Sequence, residues 1–385
     1  MMRILLLAQS MWHGPARFPK ALKAAGFEVA ALCGPGEWIS YTQYVDRHFF
    51  VADWEPKSYL KQLVQTIEAW QPDLILPCTD NMVLATQDLR LAIEAGKASL
   101  SDRMIEVLSK STFPSASNRL LDSKYELLQA LHERGIRIPP QKALLTLGDA
   151  DSFVQEHGYP VLLKPDHGHA GIGIHFCKGE DELLASLESI LKNRTGGRYA
   201  IQKYLGNKTA LIEFVAKDGR VLASHCAQRV KTHPGETGPV TVLRTVESPE
   251  MERAAEVMCD LLGYNGMGVP QFAVTDDSCQ EAFLLELNPR ISHFPHIWSR
   301  VGTDFAKALF DAWSGHPVDR RPTIVDKTLT LWPQEAMRDP QSPYLTPDAD
   351  YVSDDPKLEE AYVKSIDSRI ETLMRRESAA KEVKR

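Results

Sequence analysis

VPQFAVTDDSCQEAFLLELNPR, residues 269–290, reads as two strands joined by a polar turn. Gln271 sits on the first strand. Glu286 and Asn288 lie two apart on the second, so they point to the same face. Pairing the strands as a hairpin makes three oxygen-bearing side chains converge, a donor set that suits Mg²⁺ bridging nucleotide phosphates. Arg290 follows directly, placed to clamp a transferring phosphoryl group. An ordinary exposed polar strand face is the plainer reading. However, Glu286 is embedded in FLLEL, where a buried carboxylate needs a partner.

Outward from this stretch, VLLKPDHGHAGIGI (161–174) reads as a strand that delivers Lys164, then a loop with Gly168, Ala170, Gly171 and Gly173. Small residues let backbone N–H groups approach phosphate oxygens closely. GxxxxGK[ST] is missing, so this is no P-loop, and a tight hairpin would use the same residues. AIQKYLGNKTALIEF (200–214) reads as a strand pair, and Lys217-Asp218-Gly219 is a hairpin turn to the next strand. A helix over 249–262 and another over about 303–314 complete an α+β region.

The N-terminal part has a different texture. MRILLLA (2–8) reads as a buried strand, followed by a helix from about Pro15 to Ala25 with Gly26 at its end. Strands near Val29–Leu32 and Asp73–Leu76 alternate with helices over Pro56–Trp70 and from Asp80 or Asn81, either of which can cap, to Ala95. That alternation predicts a doubly wound α/β unit. Its first loop lacks GxGxxG, so a nicotinamide fingerprint is absent. Residues 96–121 read as loop. DSKYELLQALHERG begins an amphipathic helix, and a later helix ending at His157 is capped by Asp149 or Asp151. The tail after 351 reads as a solvated helix with a frayed end.

The 385 residues are 43% hydrophobic and 25% charged, with a net charge of -7 and a pI near 6.0. Two to three domains are expected. The acidic balance speaks against nucleic acid as partner. The six cysteines form no CxxC pair and read as small buried thiols in a reducing cytoplasm. The apolar run Ile4–Ala8 is far too short to span a membrane.

Taken in order, DSK (122–124), KP with its glycine loop, LGYNGMG (262–268), QFAV (271–274) and ELNPR (286–290) resemble the ATP-grasp superfamily, in particular the synthetase halves of the carbamoyl-phosphate synthetase large subunit. The resemblance covers roughly residues 1–318. It implies an α/β pre-ATP-grasp domain at 1–110, an ATP-grasp domain at 111–318 with a small lobe at about 140–205 and a C-terminal lobe at about 206–318, and an extension at 319–385 of which it gives no account. It implies that Lys124 and Lys164 contact nucleotide phosphates and that Gly168 to Gly173 close over them. Gln202, Lys203 and Leu205 match the adenine hinge, and Gln271, Glu286 and Asn288 match the ligands of one or two Mg²⁺, or Mn²⁺. Arg290, Lys164 and Asn288 are the implied catalytic set. Gln202 stands where many relatives carry Glu, and Thr209 where the pattern carries a Glu near the ribose.

The implied chemistry is ADP-forming activation of a carboxylate as an acyl phosphate, followed by attack of an amine. Small molecules such as amino acids are the expected substrates, and dimers are frequent among relatives. Two rivals are bicarbonate activation through carboxyphosphate, as in carboxylases and carbamoyl-phosphate synthesis, and a non-catalytic ATP-binding module. Candidate acceptor-pocket residues are Arg229, Lys231 and His233 in RVKTHPGETG, and His293, His296, Trp298 and Arg300 in ISHFPHIWSR. His293 and His296, three apart across a proline, make a poor zinc pair. Trp12, His13, Trp38 and Asp80 can line the N-terminal face.

Overall fold

The computed structural model describes residues 2–98, 100–167, 173–192, 198–236, 238–319 and 324–368. Met2–Leu7 (β1), His13–Ala25 (α1), Phe27–Cys33 (β2), Arg47–Phe50 (β3), Pro56–Trp70 (α2), Leu74–Pro77 (β4), Asp80–Glu94 (α3) and Asp102–Ser111 (α4) form the N-terminal unit. Its sheet is parallel, in the order β3-β2-β1-β4. Ile4 and Leu6 of β1 enter one core and Leu5 and Leu7 another. A strand covered on both faces is why the run reads as continuously apolar.

Two expectations for this unit are corrected. The cap of α3 is Thr79, not Asp80 or Asn81. Residues 102–111 are a helix, not loop. Met104, Val107, Leu108 and Ser111, at helical spacing, are buried on one face. The Ser111 hydroxyl accepts a hydrogen bond from the Ile75 amide at 2.9 Å, which ties α4 to β4.

Asn118–Leu121 (α5) and Lys124–His132 (α6) lead into a second sheet. This unit consists of Gln141–Leu144 (β5), Leu147–His157 (α7), Val161–Pro165 (β6), His175–Cys177 (β7), Glu180–Lys192 (α8) and Tyr199–Lys203 (β8), and its four strands form the sheet. This sheet is antiparallel in the order β5-β8-β6-β7. Thr146 caps α7, with Asp149 at the third helical position in a reciprocal capping box, so neither Asp149 nor Asp151 is the cap itself.

The third sheet contains Thr209–Lys217 (β9), Arg220–Thr232 (β10), Val240–Val246 (β11), Gly266–Val274 (β12), Ala282–Asn288 (β13) and Thr328–Thr330 (β14). Its order is β13-β12-β9-β10-β11-β14, antiparallel throughout. Pro249–Leu262 (α9), Phe305–Ser314 (α10) and Gln334–Arg338 (α11) accompany it. Asp218 (φ 51°) and Gly219 (φ 77°) make the expected turn between β9 and β10.

The C-terminal segment is not a solvated appendage. β14 extends the third sheet beside β11. Residues 356–368 are helical and bury Leu358, Tyr362 and Ile366 in the core that also holds Ile4, Leu6 and Trp38. These three lie four apart, a stripe the charged residues between them obscure. Arg17 of α1 donates to the Asp350 carboxylate at 2.7 Å and to the Trp332 carbonyl at 3.0 Å. No described helix is long and apolar enough to cross a membrane.

Candidate active site

β12 and β13 pair with Gln271 opposite Glu286 and Val269 opposite Asn288. Directly opposed residues share a face, so Gln271, Glu286 and Asn288 are gathered as the alternation predicts. Two lysines from other elements act on Glu286, Lys124 by direct contact and Lys164 through its charge. Lys124, the first residue of α6, places Nζ 3.2 Å from Glu286 Oε2. Lys164, on β6, donates to the Leu285 carbonyl at 3.3 Å and to Gln202 Oε1 at 3.4 Å. Burial works against the Glu286 charge, but Lys124, Lys164 and Arg290 more than offset it and hold the carboxyl below its ordinary value. Burial pulls Lys164 down despite the attraction of Glu286. The three oxygen donors include a single carboxylate. They suit a hard cation that takes its remaining ligands from phosphate oxygens and water, and the Lys124 ammonium sits on that carboxylate as such a cation would.

Lys124 is held by a network that sequence reading missed. Asp166 is 4% exposed and accepts from the Ser123 hydroxyl at 2.8 Å and from the Tyr125 amide at 2.9 Å. Ser123 in turn caps α6 through the Glu126 amide. Asp166 thus locks the helix start that carries Lys124 to the strand end that carries Lys164. Asp166→Asn should keep the fold but weaken the tie between the start of α6 and the end of β6, lowering stability by about 1–3 kcal/mol, the cost of one buried charge-assisted network. Urea unfolding measures it, and an unchanged unfolding free energy would dismiss the network.

Arg290 is 9% exposed and stands at a junction. It donates to Asp80 Oδ2, Asn288 Oδ1 and the Ile291 carbonyl, each at 3.2 Å. Its guanidinium lies 4.0 Å above the Trp12 ring, and Trp12 stacks on His293 at 4.1 Å. The loop after Arg290 is anchored by Glu213 of β9, also missed from sequence. Glu213 is fully buried and accepts from the Ser292 amide (3.0 Å), the Ser292 hydroxyl (2.8 Å) and the Trp298 indole.

The remaining candidates divide. Gln202 bonds Gln141 as well as Lys164. The Lys203 amide donates to the Pro140 carbonyl at 2.8 Å. Its ammonium donates to the Gly158 and Tyr159 carbonyls. Leu205 is half-buried just beyond β8. Thr209 accepts from Arg229 at 3.3 Å, and Arg229 also donates to the Gly238 carbonyl and feels the charge of Glu286. Lys231 is exposed where the β10–β11 register shifts, and His233 bonds its amide to the Pro239 carbonyl. Arg300 and His296 are turned to the C-terminal segment. Arg300 holds the Asp348 carbonyl at 2.7 Å, and His296 meets Asp350 at 2.6 Å. They are tethers of that segment. Gly173 follows the glycine loop with φ 79°, whereas Gly168, Ala170 and Gly171 lie outside the described residues.

A cleft of about 180 Å³ opens over this cluster. Lys124, Asp166, Glu286 and Asn288 form its polar end, and Val83, Leu84, Leu120 and Leu127 its apolar wall.

Residues 123–319, just over half of the chain, match the family described as carbamoyl-phosphate synthase L chain, ATP binding domain. The carbamoyl phosphate synthase large chain of Thermotoga sp. (strain RQ2) is 25% identical over 325 residues, 81% of this chain and 28% of that protein. The multifunctional protein ura1 of Schizosaccharomyces pombe is 24% identical over 211 residues, 53% of this chain and 9% of that protein. The chain thus spans less than a third of the length of these curated relatives. In fold it is similar to the biotin carboxylase domain of Hydrogenobacter thermophilus 2-oxoglutarate carboxylase, in complex with MgADP and bicarbonate, with a TM-score of 0.63, 19% identity, and 85% of this chain and 73% of that one covered. It is also similar to N5-carboxyaminoimidazole synthetase from Staphylococcus aureus with ADP, with a TM-score of 0.61, 15% identity, and 84% and 80% covered.

Proposed function

Because this chain belongs to the carbamoyl-phosphate synthase L chain ATP-binding domain family and has the ATP-grasp fold, we propose that it is an ADP-forming carboxylate–amine ligase acting on small molecules. The observation that carries this reading is Glu286, drawn between Lys124 and Lys164 and followed within four residues by an Arg290 fixed on three sides. That arrangement neutralises charge on transferring phosphate oxygens, which is most of what phosphoryl transfer to a carboxylate requires. Gln271, Glu286 and Asn288 would hold Mg²⁺, with Mn²⁺ as a substitute, and the ion would supply positive charge to the phosphates of bound ATP. Lys124 and Lys164 then turn to phosphate oxygens, and Lys203 and Leu205 offer backbone groups to the base. A substrate carboxylate oxygen attacks the γ-phosphorus, ADP leaves, and Arg290 steadies the acyl phosphate. An amine displaces phosphate from the acyl carbon.

We assign residues 1–110 to the pre-ATP-grasp domain, 111–318 to the ATP-grasp domain and 319–385 to an extension. Six free, buried cysteines fit a reducing cytoplasm. Nucleotide products formed from Mg-ATP with pooled carboxylates and amines, with and without bicarbonate, test the reading. ADP that requires a carboxylate and an amine together is the expected result. AMP defeats the acyl-phosphate step. ADP formation driven by bicarbonate alone moves the chain to the alternative of bicarbonate activation.

A further inference from the structure

The N-terminal sheet changes winding direction at β1, with β2 and β3 on one side and β4 on the other. Crevices beyond the carboxyl ends of strands at such a switch point collect ligands. Here β1 runs through Ser10 into α1, and β4 runs through Thr79 into α3. Neither helix has a side-chain cap at its N-cap residue, Trp12 or Thr79, so both present amide N–H groups and positive dipole ends. Ser10 holds φ at 130°, a conformation that costs a non-glycine residue energy and concentrates at ligand sites. Gly14 lets α1 press on the Arg290 loop, since a Cβ there would lie 1.9 Å from the Ser292 carbonyl.

Six buried polar atoms around this crevice find no hydrogen-bond partner among the described residues: Ser10 Oγ, His13 Nδ1, Glu37 Oε2, Tyr59 OH, Thr79 Oγ1 and His293 Nδ1. His13, Tyr59 and Thr79 are more than nine-tenths buried or at that limit. Several of the residues are linked. Glu37 Oε1 accepts from the Ser10 amide at 3.0 Å. Tyr59 lies within electrostatic reach of Glu37 and close to the neutral Cys78 thiol, the neighbour of Thr79. The His13 and His293 rings lie 6.3 Å apart, and Trp12 joins His293 to Arg290. Each unpartnered buried group is costly and calls for an explanation. Six at one switch point, beside the arginine of the proposed reaction, share one.

We propose that this crevice is a binding site for an amino acid, with its carboxylate at the two helix N-termini beside Arg290 and its ammonium against Glu37. This rests on the ligase reading for the fate of that carboxylate. Burial keeps both imidazoles neutral, with His13 lowered to about 3 and His293 well below its ordinary value. They therefore supply hydrogen bonds without adding charge. Glu37 is pushed up to about 7 by burial, and an arriving ammonium favours its ionised form. Serine and threonine hydroxyls and Tyr59 OH supply the remaining donors and acceptors.

The test uses the full chain without nucleotide. Thermal shifts are recorded with each of the twenty common L-amino acids, with the matching amines that lack the carboxylate, and with the matching acids that lack the amino group. At least one amino acid should raise Tm where its two truncated forms do not. In Glu37→Gln and in Thr79→Val the concentration for half-maximal shift should rise about tenfold or more, as for loss of a hydrogen bond to a charged group. The Mg-ATP shift should stay as in wild type. Absence of any amino-acid shift, or a shift undiminished in both variants, overturns the proposal and leaves the six atoms to ordered water. ADP formation run in parallel separates the two readings. Turnover of deaminated acids as fast as of amino acids keeps the ligase and overturns the amino-acid site, whereas amino-acid shifts without any ADP keep the site and remove the ligase.

Discussion

Replacing Glu286 with Gln lowers carboxylate-dependent ADP formation about 10²–10³-fold or more, the loss typical of removing a group that organises charge at a reacting centre. The substitution keeps the side chain's size and removes its charge. Lys124, which pairs with the carboxylate at 3.2 Å, and Lys164, which feels its charge, are then left to repel each other without it. In the proposed mechanism, a cation bridging phosphates would lose the sole charged member of its donor set. The strand itself should survive, because the β12–β13 ladder does not depend on this side chain. Single-turnover ADP release at saturating Mg-ATP, with circular dichroism as the folding control, measures the effect. A variant within threefold of wild type would remove Glu286 from the chemistry and favour a nucleotide-binding module instead.

The second large effect is expected at Glu213. Glu213→Ala leaves the Ser292 amide, the Ser292 hydroxyl and the Trp298 indole N–H without their acceptor in a dry interior. At about 1–3 kcal/mol for each stranded group, partly relieved by relaxation, a loss of about 3–5 kcal/mol of stability follows. Urea unfolding measures it, and a loss under 1 kcal/mol would show that the loop has another anchor. The same carboxyl carries a pH signature. Burial pushes it up to about 7, against the opposing pull of Trp298, Ser292 and Arg290. The folded chain therefore holds this proton more tightly than the unfolded chain, whose carboxyl titrates near 4.5. The resulting stabilisation is complete below about pH 4.5 and is lost as pH rises through about 7, by at most about 3 kcal/mol. Glu213→Gln does not titrate, so the difference in unfolding free energy between wild type and variant should change with that sign over this window. A constant difference contradicts it.

Much of the candidate site was legible because a strand has a period of two. Alternation alone put Glu286 and Asn288 on one face, and the short polar turn at 275–281 brought Gln271 opposite them. Lys164 was legible as the polar end of an apolar strand, and Lys124 through DSK ahead of an amphipathic helix. Asp80 was visible only as one of several polar residues on the N-terminal face, while its ion pair with Arg290 joins positions 210 apart. Asp166 to Ser123 spans 43 positions and Glu213 to Ser292 spans 79. No local pattern encodes such pairs, since each residue alone reads as an ordinary polar residue in a strand or turn. The segment 102–111 was missed because a ten-residue helix shows its stripe only four times.

The sequence by itself determined the α/β start, the α+β remainder, the strand pair that carries Gln271, Glu286 and Asn288, and the family resemblance, because local periodicity and short motifs need no partner. The tertiary structure alone decided what the carboxylates and cations face. It set Asp80 against Arg290, Asp166 under Lys124, Glu213 behind the Arg290 loop, and Leu358, Tyr362 and Ile366 of the C-terminal helix into the N-terminal core. A buried charge or apolar stripe is specified by whatever chain closes over it, and here that chain lies tens to hundreds of residues away.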